Sequence, residues 1–312
     1  MTANSQPAEP LQPILVMMSY RGGERLQRCL ESIAAAEHHF KRIVLSITAP
    51  EDSEDMRMAT EFQQQHHKVE VICTKIELPT MAHQAFWIDY LERTGATKND
   101  WIYWLAYDDQ VRTRGIDNLV DDNGNWPLKH GTAYFGPWAM RHEQADQIWD
   151  GDPRADLESW TSFPIEGPLQ LPVAKWIGNQ LVQPTYMQMS GSVIALESHQ
   201  RVIKGWPKKK GPMRIEMATA ATPNNTTVEE FTEPISIIYG RPNSDRASYG
   251  NAARSEDVHL VAWLTQYGAH QPSSLPALAV ATAKVAATYA RIATNRGQLP
   301  AEQWNRRDVL RP

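Results

Sequence analysis

The chain has 312 residues, of which 42% are hydrophobic and 21% charged, and its formal net charge is −5 at pH 7. This length suits one large α/β domain, or one domain with an appendage. Because the chain has no excess of positive charge, nucleic acid is not an expected partner. The two cysteines, Cys29 and Cys73, lack zinc-ligand spacing. We expect both to be buried free thiols in a reducing compartment.

The N-terminal stretch 1–12 is polar and contains proline, which predicts a flexible tail. Its first residues lack the basic and apolar regions of a signal peptide. No apolar run reaches the roughly 20 residues of a membrane span. The sequence therefore predicts a cytoplasmic protein without a transmembrane segment.

The first third of the chain alternates short apolar runs with amphipathic stretches. The apolar runs predict strands at 14–18, 42–47, 68–73 and 101–107. Apolar periodicity predicts helices over the stretch containing Leu26, Cys29, Leu30 and Ile33, over about 53–65 and over 81–93. Strand–helix alternation with short connections predicts a parallel, Rossmann-like sheet with right-handed crossovers.

The remaining two thirds are less regular. Strands are predicted at 131–136, 187–196 and 235–239, and helices from Ser198 and over 214–221. Residues 141–185 are rich in Trp, Pro, Asp and Gly, which predicts an irregular excursion over a site. Residues 256–312 predict a helical C-terminal appendage. By default it packs against the preceding domain, although a homodimer contact or a peripheral membrane contact is an alternative.

The loop after the first strand, Ser19–Gly23, lacks the glycine spacing of a dinucleotide-binding turn, which argues against an NAD enzyme. There is no phosphate-binding P-loop and no nucleophile elbow.

The fourth predicted strand ends in two adjacent carboxylates, Asp108 and Asp109. At the carboxyl end of such a strand these side chains reach the crevice in which open α/β sheets bind ligands. Adjacent carboxylates repel each other unless they are neutralised, and oxygen ligands suit Mg²⁺ or Mn²⁺. The alternative interpretation is a solvated turn.

The order of these features resembles the GT-A glycosyltransferases, family 2 in particular. The most specific part is the first strand followed by Tyr20–Ile33, which is similar to that family's Tyr-Asn-Arg…Cys-Leu-Glu-Ser-Ile opening. Leu105–Asp109 lies where the family carries its Asp-x-Asp metal motif, and Ser190–Ile194 resembles its acceptor-side strand. The resemblance covers roughly residues 13–250.

The resemblance implies a GT-A fold, Mn²⁺ or Mg²⁺ as cofactor and a nucleotide-diphosphate sugar as co-substrate. Ala106 replaces the first aspartate of the family motif, which leaves Asp108 as the direct metal ligand and Asp109 as a supporting or water-bridging group. The residues implied for binding the nucleotide sugar are Ser19, Tyr20, Arg21, Glu51, His83, Tyr107, Asp108, Arg241 and Arg246. His83 has a second interpretation as a packed helix residue.

The implied catalytic base is Glu216, with Glu229 or Glu230 as alternatives, since Met217 departs from the family's Glu-Asp pattern. Arg241 and Arg246 are either phosphate ligands or surface arginines of a polar loop. Ser190 and Gly191 either let a substrate approach the backbone or make a tight step in the sheet.

We therefore expect a metal-dependent, inverting glycosyltransferase acting on a glycan or lipid-linked glycan acceptor in bacterial surface polysaccharide synthesis. The catalytic domain is predicted at 13–255, with a nucleotide-sugar half at 13–110 and an acceptor half at 111–255. Two alternatives remain: a sugar nucleotidyltransferase-like enzyme, and a non-catalytic carbohydrate-binding protein on the same fold.

Overall fold

A computed structural model describes residues 10–20, 22–136, 139–142, 161–162, 170–172, 190–205, 215–220 and 222–240, and the isolated positions 279 and 283. Side chains are described for most of these residues. The end of the predicted N-terminal tail is attached to the domain: the Leu11 backbone N–H donates to Asn125 Oδ1 at 2.7 Å, and Gln12 Nε2 donates to the His38 carbonyl oxygen at 2.9 Å. The described part of the tail is thus bound and not free.

The central sheet has eight strands in the order β3-β2-β1-β4-β10-β6-β11-β9. Their bounds are β1 Ile14–Ser19, β2 Arg42–Ile47, β3 Val69–Cys73, β4 Trp101–Ala106, β6 Thr132–Phe135, β9 Gln170–Pro172, β10 Ser192–Ala195 and β11 Thr227–Glu230. The first four run parallel. Because β10 is antiparallel to both β4 and β6, and β11 is parallel to β6, six of the eight strands end at the same edge. We refer to it below as the carboxyl edge.

A second sheet has the order β5-β12-β7-β8. It consists of β5 Gln110–Val111, β12 Ser236–Gly240, β7 Ala139–His142 and β8 Thr161–Ser162. Strand β5 begins directly after Asp109, so this small sheet lies against the end of β4. The sequence did not predict a second sheet, because a two-residue strand leaves no periodic signal.

The helices follow the predicted order. They are α1 Glu24–Ala36, a 3₁₀ turn Glu37–His39, α2 Glu54–Gln65, α3 Thr80–Arg93, α4 Thr113–Asp117, α5 Leu196–Gly205 and α6 Ile215–Ala220. Ser53 caps α2 as predicted, because its side chain accepts a hydrogen bond from the Met56 N–H at 3.3 Å. Helix α4 was not predicted, since five residues are too few to show a helical period.

The apolar run of β1 has a simple cause: all six of its residues are buried. Leu15 and Met17 pack on one face of the sheet with α1, while Ile14, Val16 and Met18 pack on the other with α3. A parallel strand covered on both faces has no polar side, so its sequence shows no alternation. The predicted parallel α/β sheet flanked by helices is confirmed.

Some boundaries differ from the prediction. Within the predicted strand 187–196, Ser190 and Gly191 form a turn, β10 covers only Ser192–Ala195, and Leu196 already begins α5. Strand β11 was missed, since Thr227–Glu230 carries only one strongly apolar residue. Cys29 is buried, as predicted, whereas Cys73 is only half-buried.

Most of the predicted excursion 141–185 and nearly all of the predicted appendage 256–312 lie outside the described residues, and those predictions stay untested. Ala279 and Ala283 are helical and exposed. Within the ranges that are described, no helix is both long enough and apolar enough to span a membrane.

Candidate active site

The candidate site lies at the carboxyl edge between β1 and β4. Strand β1 pairs with β2 on one side and with β4 on the other. The chain therefore adds β2 and β3 on one side of β1 and then crosses to add β4 on the other side. Open α/β sheets bind ligands in the crevice at such a switch point. The Tyr107 N–H donates to the Met18 carbonyl oxygen at 3.0 Å, which holds the loops after β1 and β4 side by side.

A buried carboxylate, Asp55, organises the loop after β1. It accepts hydrogen bonds from Ser19 Oγ at 3.0 Å, from the Gly22 N–H at 2.7 Å and from the Gly23 N–H at 3.0 Å. A Cβ on Gly22 would lie 2.6 Å from Leu26 Cβ and 3.1 Å from the Tyr107 ring, so the loop packs too closely for a larger residue. Asp55 was not predicted as a site residue, because the sequence marks it only as an acid in the first turn of α2.

Asp109 is an anchor between three segments of chain. Ser190 Oγ donates to its Oδ2 at 2.5 Å, and the Tyr239 N–H from β12 donates to its Oδ1 at 3.1 Å. Its side chain is buried. Each carboxylate oxygen therefore already accepts a hydrogen bond from the protein. This arrangement fits the supporting role expected for Asp109 better than direct metal ligation.

Asp108 lies in a turn. The turn is closed by a hydrogen bond from the Asp109 N–H to the Ala106 carbonyl oxygen at 3.0 Å. The Asp108 side chain is partly exposed, as is that of Tyr107. Burial, and then the charges of Asp109 and Asp108, raise the pKa of the Cys29 thiol beneath the turn. The neutral thiol donates to the Ala106 carbonyl oxygen at 3.8 Å. Asp108 is thus the member of the pair that an ion in the crevice can reach.

Ser190 and Gly191 form a tight step in the sheet, one of their two predicted interpretations. Ser190 Oγ accepts from the Ala106 N–H at 3.1 Å while it donates to Asp109. Gly191 has φ +80°, and a Cβ there would lie 2.4 Å from Ser236 Oγ. The close approach is between protein segments, so these two residues shape the site through Asp109.

His83 is buried at 3% exposure, and its Nε2 lies 2.7 Å from Ser46 Oγ. Burial lowers the pKa of His83 from 6.5 to about 4, so the ring is neutral near pH 7. The predicted direct contact with a nucleotide does not fit this position, because the ring points into the protein. The packed interpretation fits.

Two further predicted residues lie in exposed ion pairs or hydrogen bonds near the same edge. The Tyr20 side chain is 40% exposed, and its hydroxyl donates to Glu77 Oε2 at 2.8 Å. Glu51 Oε1 lies 2.6 Å from Lys75 Nζ. Both side chains can be reached by a ligand, and their roles stay predictions.

The candidate bases come after β10 in the chain, on α6 and β11. Glu216 is in the first turn of α6, and its side chain is outside what the structure describes. Glu230 ends β11 at the carboxyl edge and is buried. Register pairs Glu230 with Phe135, and Phe135 with Ser192, so their side chains leave the same face of the sheet. Burial raises the pKa of Glu230 from 4.5 to about 7.

Glu229 alternates with Glu230 along β11 and therefore points to the opposite face. Of the two alternatives to Glu216, Glu230 is the one that is buried and has a raised pKa, as expected of a general base. The predicted ligands Arg21, Arg241 and Arg246 lie outside the described residues.

Sequence comparison finds no matching family model and no matching curated protein. Structure comparison does find similar folds. Residues 1–349 of S. aureus TarS match with a TM-score of 0.53 at 7% identity, covering 88% of this chain and 71% of that chain. The mannosyltransferase PcManGT from Pyrobaculum calidifontis, in complex with GDP-Man and Mn²⁺, matches with a TM-score of 0.47 at 12% identity, covering 96% and 82%.

At 7% identity, the likeness to TarS is evidence of a shared fold only. Together with the strand order, the likeness to TarS shows that this chain has the GT-A fold. The predicted fold is therefore confirmed. The activity is a separate question, because one fold carries many functions.

Proposed function

We propose that the protein is a metal-dependent glycosyltransferase that moves a sugar from a nucleotide-diphosphate sugar to a hydroxyl of a glycan acceptor. The observation that carries the proposal is the position of Asp108, partly exposed at the β1–β4 switch point beside a loop organised by Asp55. The GT-A fold supports it.

The residues at the switch point fit a hard divalent cation. Asp108 is a partly exposed carboxylate at the switch point, and oxygen ligands suit Mn²⁺ or Mg²⁺. Asp109 keeps the turn in place through Ser190 and Tyr239. When bound, such an ion neutralises charge on the leaving diphosphate.

The loop after β1 and the start of α2 are proposed to hold the nucleotide. Tyr20 and Glu51 are exposed there, and the Tyr107 ring packs beside Gly22 of the same loop. Arg21, Arg241 and Arg246 are proposed to contact phosphate. His83 acts only through packing, by fixing the N-terminal turn of α3 to Ser46 on β2.

An acceptor hydroxyl must lose a proton as it attacks the anomeric carbon. Efficient general bases have a pKa near the working pH, and Glu230 has one of about 7. Glu216 remains the other candidate, since it lies in the first turn of α6, which packs on β10. A base on the side of the sugar opposite the leaving group inverts the anomeric centre, and we propose inversion on that basis.

The wider role rests on the resemblance of the sequence. We propose that the enzyme acts in bacterial surface polysaccharide synthesis, in the cytoplasm, on a glycan or lipid-linked glycan. The C-terminal segment 256–312 is proposed to pack on the domain, to form a homodimer contact or to lie at the inner face of the membrane.

The test is a panel of nucleotide sugars, measured for binding and for hydrolysis with and without Mn²⁺. We expect at least one donor to bind in a Mn²⁺-dependent way, and we expect Asp108→Asn to reduce turnover by 100-fold or more, on the order of what loss of a charge-stabilising group costs. Asp122→Asn is the matched control, because Asp122 is an exposed acid elsewhere on the surface.

The same assay with an acceptor separates the two bases. Glu230→Gln should remove transfer and leave donor binding intact, whereas an unchanged rate would move the role to Glu216. Pyrophosphate release from a nucleoside triphosphate and a sugar phosphate would favour a nucleotidyltransferase instead. If no donor binds in the presence of Mn²⁺, the proposal is wrong.

A further inference from the structure

A second group of metal-ligating side chains lies far from Asp108. His38 and His39 are neighbours on the 3₁₀ turn before β2, and Asp117 is the last residue of α4. His39 Nε2 lies 2.8 Å from Asp117 Oδ1, and His38 Nε2 lies 3.9 Å from the same oxygen. One ligand atom from each of the three residues lies within 4.8 Å of the other two. We call these residues the His-His-Asp cluster.

These separations are close to those of a tetrahedral transition-metal site. Zinc–nitrogen and zinc–oxygen bonds are about 2.0–2.2 Å, so two ligand atoms of one tetrahedral ion lie roughly 3.3 Å apart. The observed 2.8 Å and 3.9 Å fall on either side of that value. Two imidazoles and one carboxylate also form a common donor set for zinc, with a further position left for water. Small side-chain rotations are enough to close the site.

The backbone around the two histidines is held from outside the turn. Trp126 Nε1 donates to the His39 carbonyl oxygen at 3.0 Å, and Gln12 Nε2 donates to the His38 carbonyl oxygen at 2.9 Å. The two imidazole centroids lie 3.9 Å apart. Because the turn is fixed, ordering the ligands costs less when an ion binds.

The cluster is accessible to an ion. The side chains of His38 and Asp117 are 65% and 52% exposed, while that of His39 is only 6% exposed. Lys68 is a cation close enough to act on His39, and its ammonium donates to the carbonyl oxygens of Phe40 and Glu37 at 2.8 and 3.4 Å. The positive charge of Lys68 disfavours a bound cation, and the negative charge of Asp117 favours one.

The cluster is at the amino-terminal edge of the sheet, next to the starts of β1 and β2. Asp108 lies beyond the opposite edge, roughly 20 Å away for strands of six residues. The two places also differ in ligand chemistry. Imidazole nitrogen selects zinc-like ions, whereas carboxylate oxygen alone selects Mg²⁺ or Mn²⁺.

We propose that His38, His39 and Asp117 bind one divalent transition-metal ion of the zinc class, which ties the turn before β2 to α4 at the edge opposite the proposed active site. The ion has a structural role in this position, because it links two segments that are 78 residues apart in the chain.

Zinc binding by tag-free full-length protein, stripped with a chelator and then titrated with Zn²⁺ against a chromogenic chelator, tests the proposal. We expect one ion per chain and a rise in Tm of several degrees at saturation. His38→Ala and Asp117→Asn should each weaken binding at least about tenfold, since losing even an outer partner of a metal ligand has that effect. Asp117→Asn keeps an acceptor for His39, so the fold is preserved.

Two control variants make the result specific. His67→Ala removes a neighbouring histidine that is 87% exposed and outside the cluster, and it should leave zinc affinity unchanged. Asp108→Asn should also leave it unchanged, which separates this site from the proposed catalytic one. Equal zinc affinity in His38→Ala, Asp117→Asn and the unaltered chain would overturn the proposal. So would equal losses in the cluster variants and in His67→Ala.

Discussion

Two buried carboxylates hold the loops on both sides of the candidate site in place through hydrogen bonds. Asp55 satisfies three donors of the loop after β1, and Asp109 joins the end of β4 to Ser190 and Tyr239. Hydrogen bonds to a charged acceptor contribute more than neutral ones, and an unsatisfied buried donor is costly. The crevice is therefore shaped by residues that need not touch a substrate.

Asp55→Asn tests this role at the residue scale. The amide offers one acceptor oxygen and turns an NH₂ group towards backbone donors, so we expect a loss of about 1–3 kcal/mol in the free energy of unfolding. We also expect KM for the nucleotide sugar to rise more than kcat falls, because the loop is displaced and the chemistry is not. Urea unfolding and steady-state kinetics measure the two effects. Asp52→Asn, an exposed neighbour, should change neither.

The sequence located Asp108 and Asp109 because an apolar strand ended there, which is a local signal. It did not locate Asp55, whose partners are 32 to 36 residues away. The sequence also could not show which of the two aspartates is held by the protein. The hydrogen-bond donors to Asp109 are Ser190 and Tyr239, which are 81 and 130 residues further along the chain.

At the scale of elements, the short helix α4 is fixed by a close contact with the segment before β12. A Cβ added to Gly115 would lie 1.9 Å from the Pro234 carbonyl oxygen. The same contact brings Arg112 to Glu233 at 3.1 Å and to the Pro234 oxygen at 3.0 Å. Glycine at this position allows α4 to approach the backbone of the second sheet.

Gly115→Ala should therefore destabilise the protein by about 3 kcal/mol, since a backbone oxygen cannot move aside cheaply. Gly95→Ala is the control: Gly95 has φ +91°, and a Cβ there meets nothing within 4 Å. Its cost should be about 1 kcal/mol, from backbone conformation alone. Equal unfolding free energies for the two variants would show that the contact with Pro234 is not tight.

At the scale of the whole molecule, buried titratable groups set how stability depends on pH. Burial lowers the pKa of His83 to about 4 and that of His199 to about 3, both from 6.5. Unfolding lets these rings take up protons below pH 6.5, so their effect is to make stability fall as pH falls from 6.5 towards 4. Glu230 acts in the opposite direction: its folded pKa of about 7 makes stability fall as pH rises from 4.5 to 7.

Two histidines against one glutamate predict a net loss of stability from these groups on acidification below pH 6.5. His83→Gln should reduce the slope of unfolding free energy against pH between 4.5 and 6 by about 1.4 kcal/mol per pH unit, the value for one proton. Urea midpoints across that range give the slope. His67→Gln, at an 87% exposed position, should leave it unaltered. An unchanged slope in His83→Gln would mean that His83 titrates normally in the folded protein.

The sequence by itself determined the alternation of strands and helices up to β4, the cap of α2 and the place of the two aspartates. These follow from periodicity, capping and turn chemistry, which act over a few residues. The tertiary structure alone decided the order β10-β6-β11 beside β4, the burial of Glu230 and His83, and the meeting of His38 and His39 with Asp117. The physical reason is that these features depend on contacts between segments distant in the chain, which local patterns do not encode.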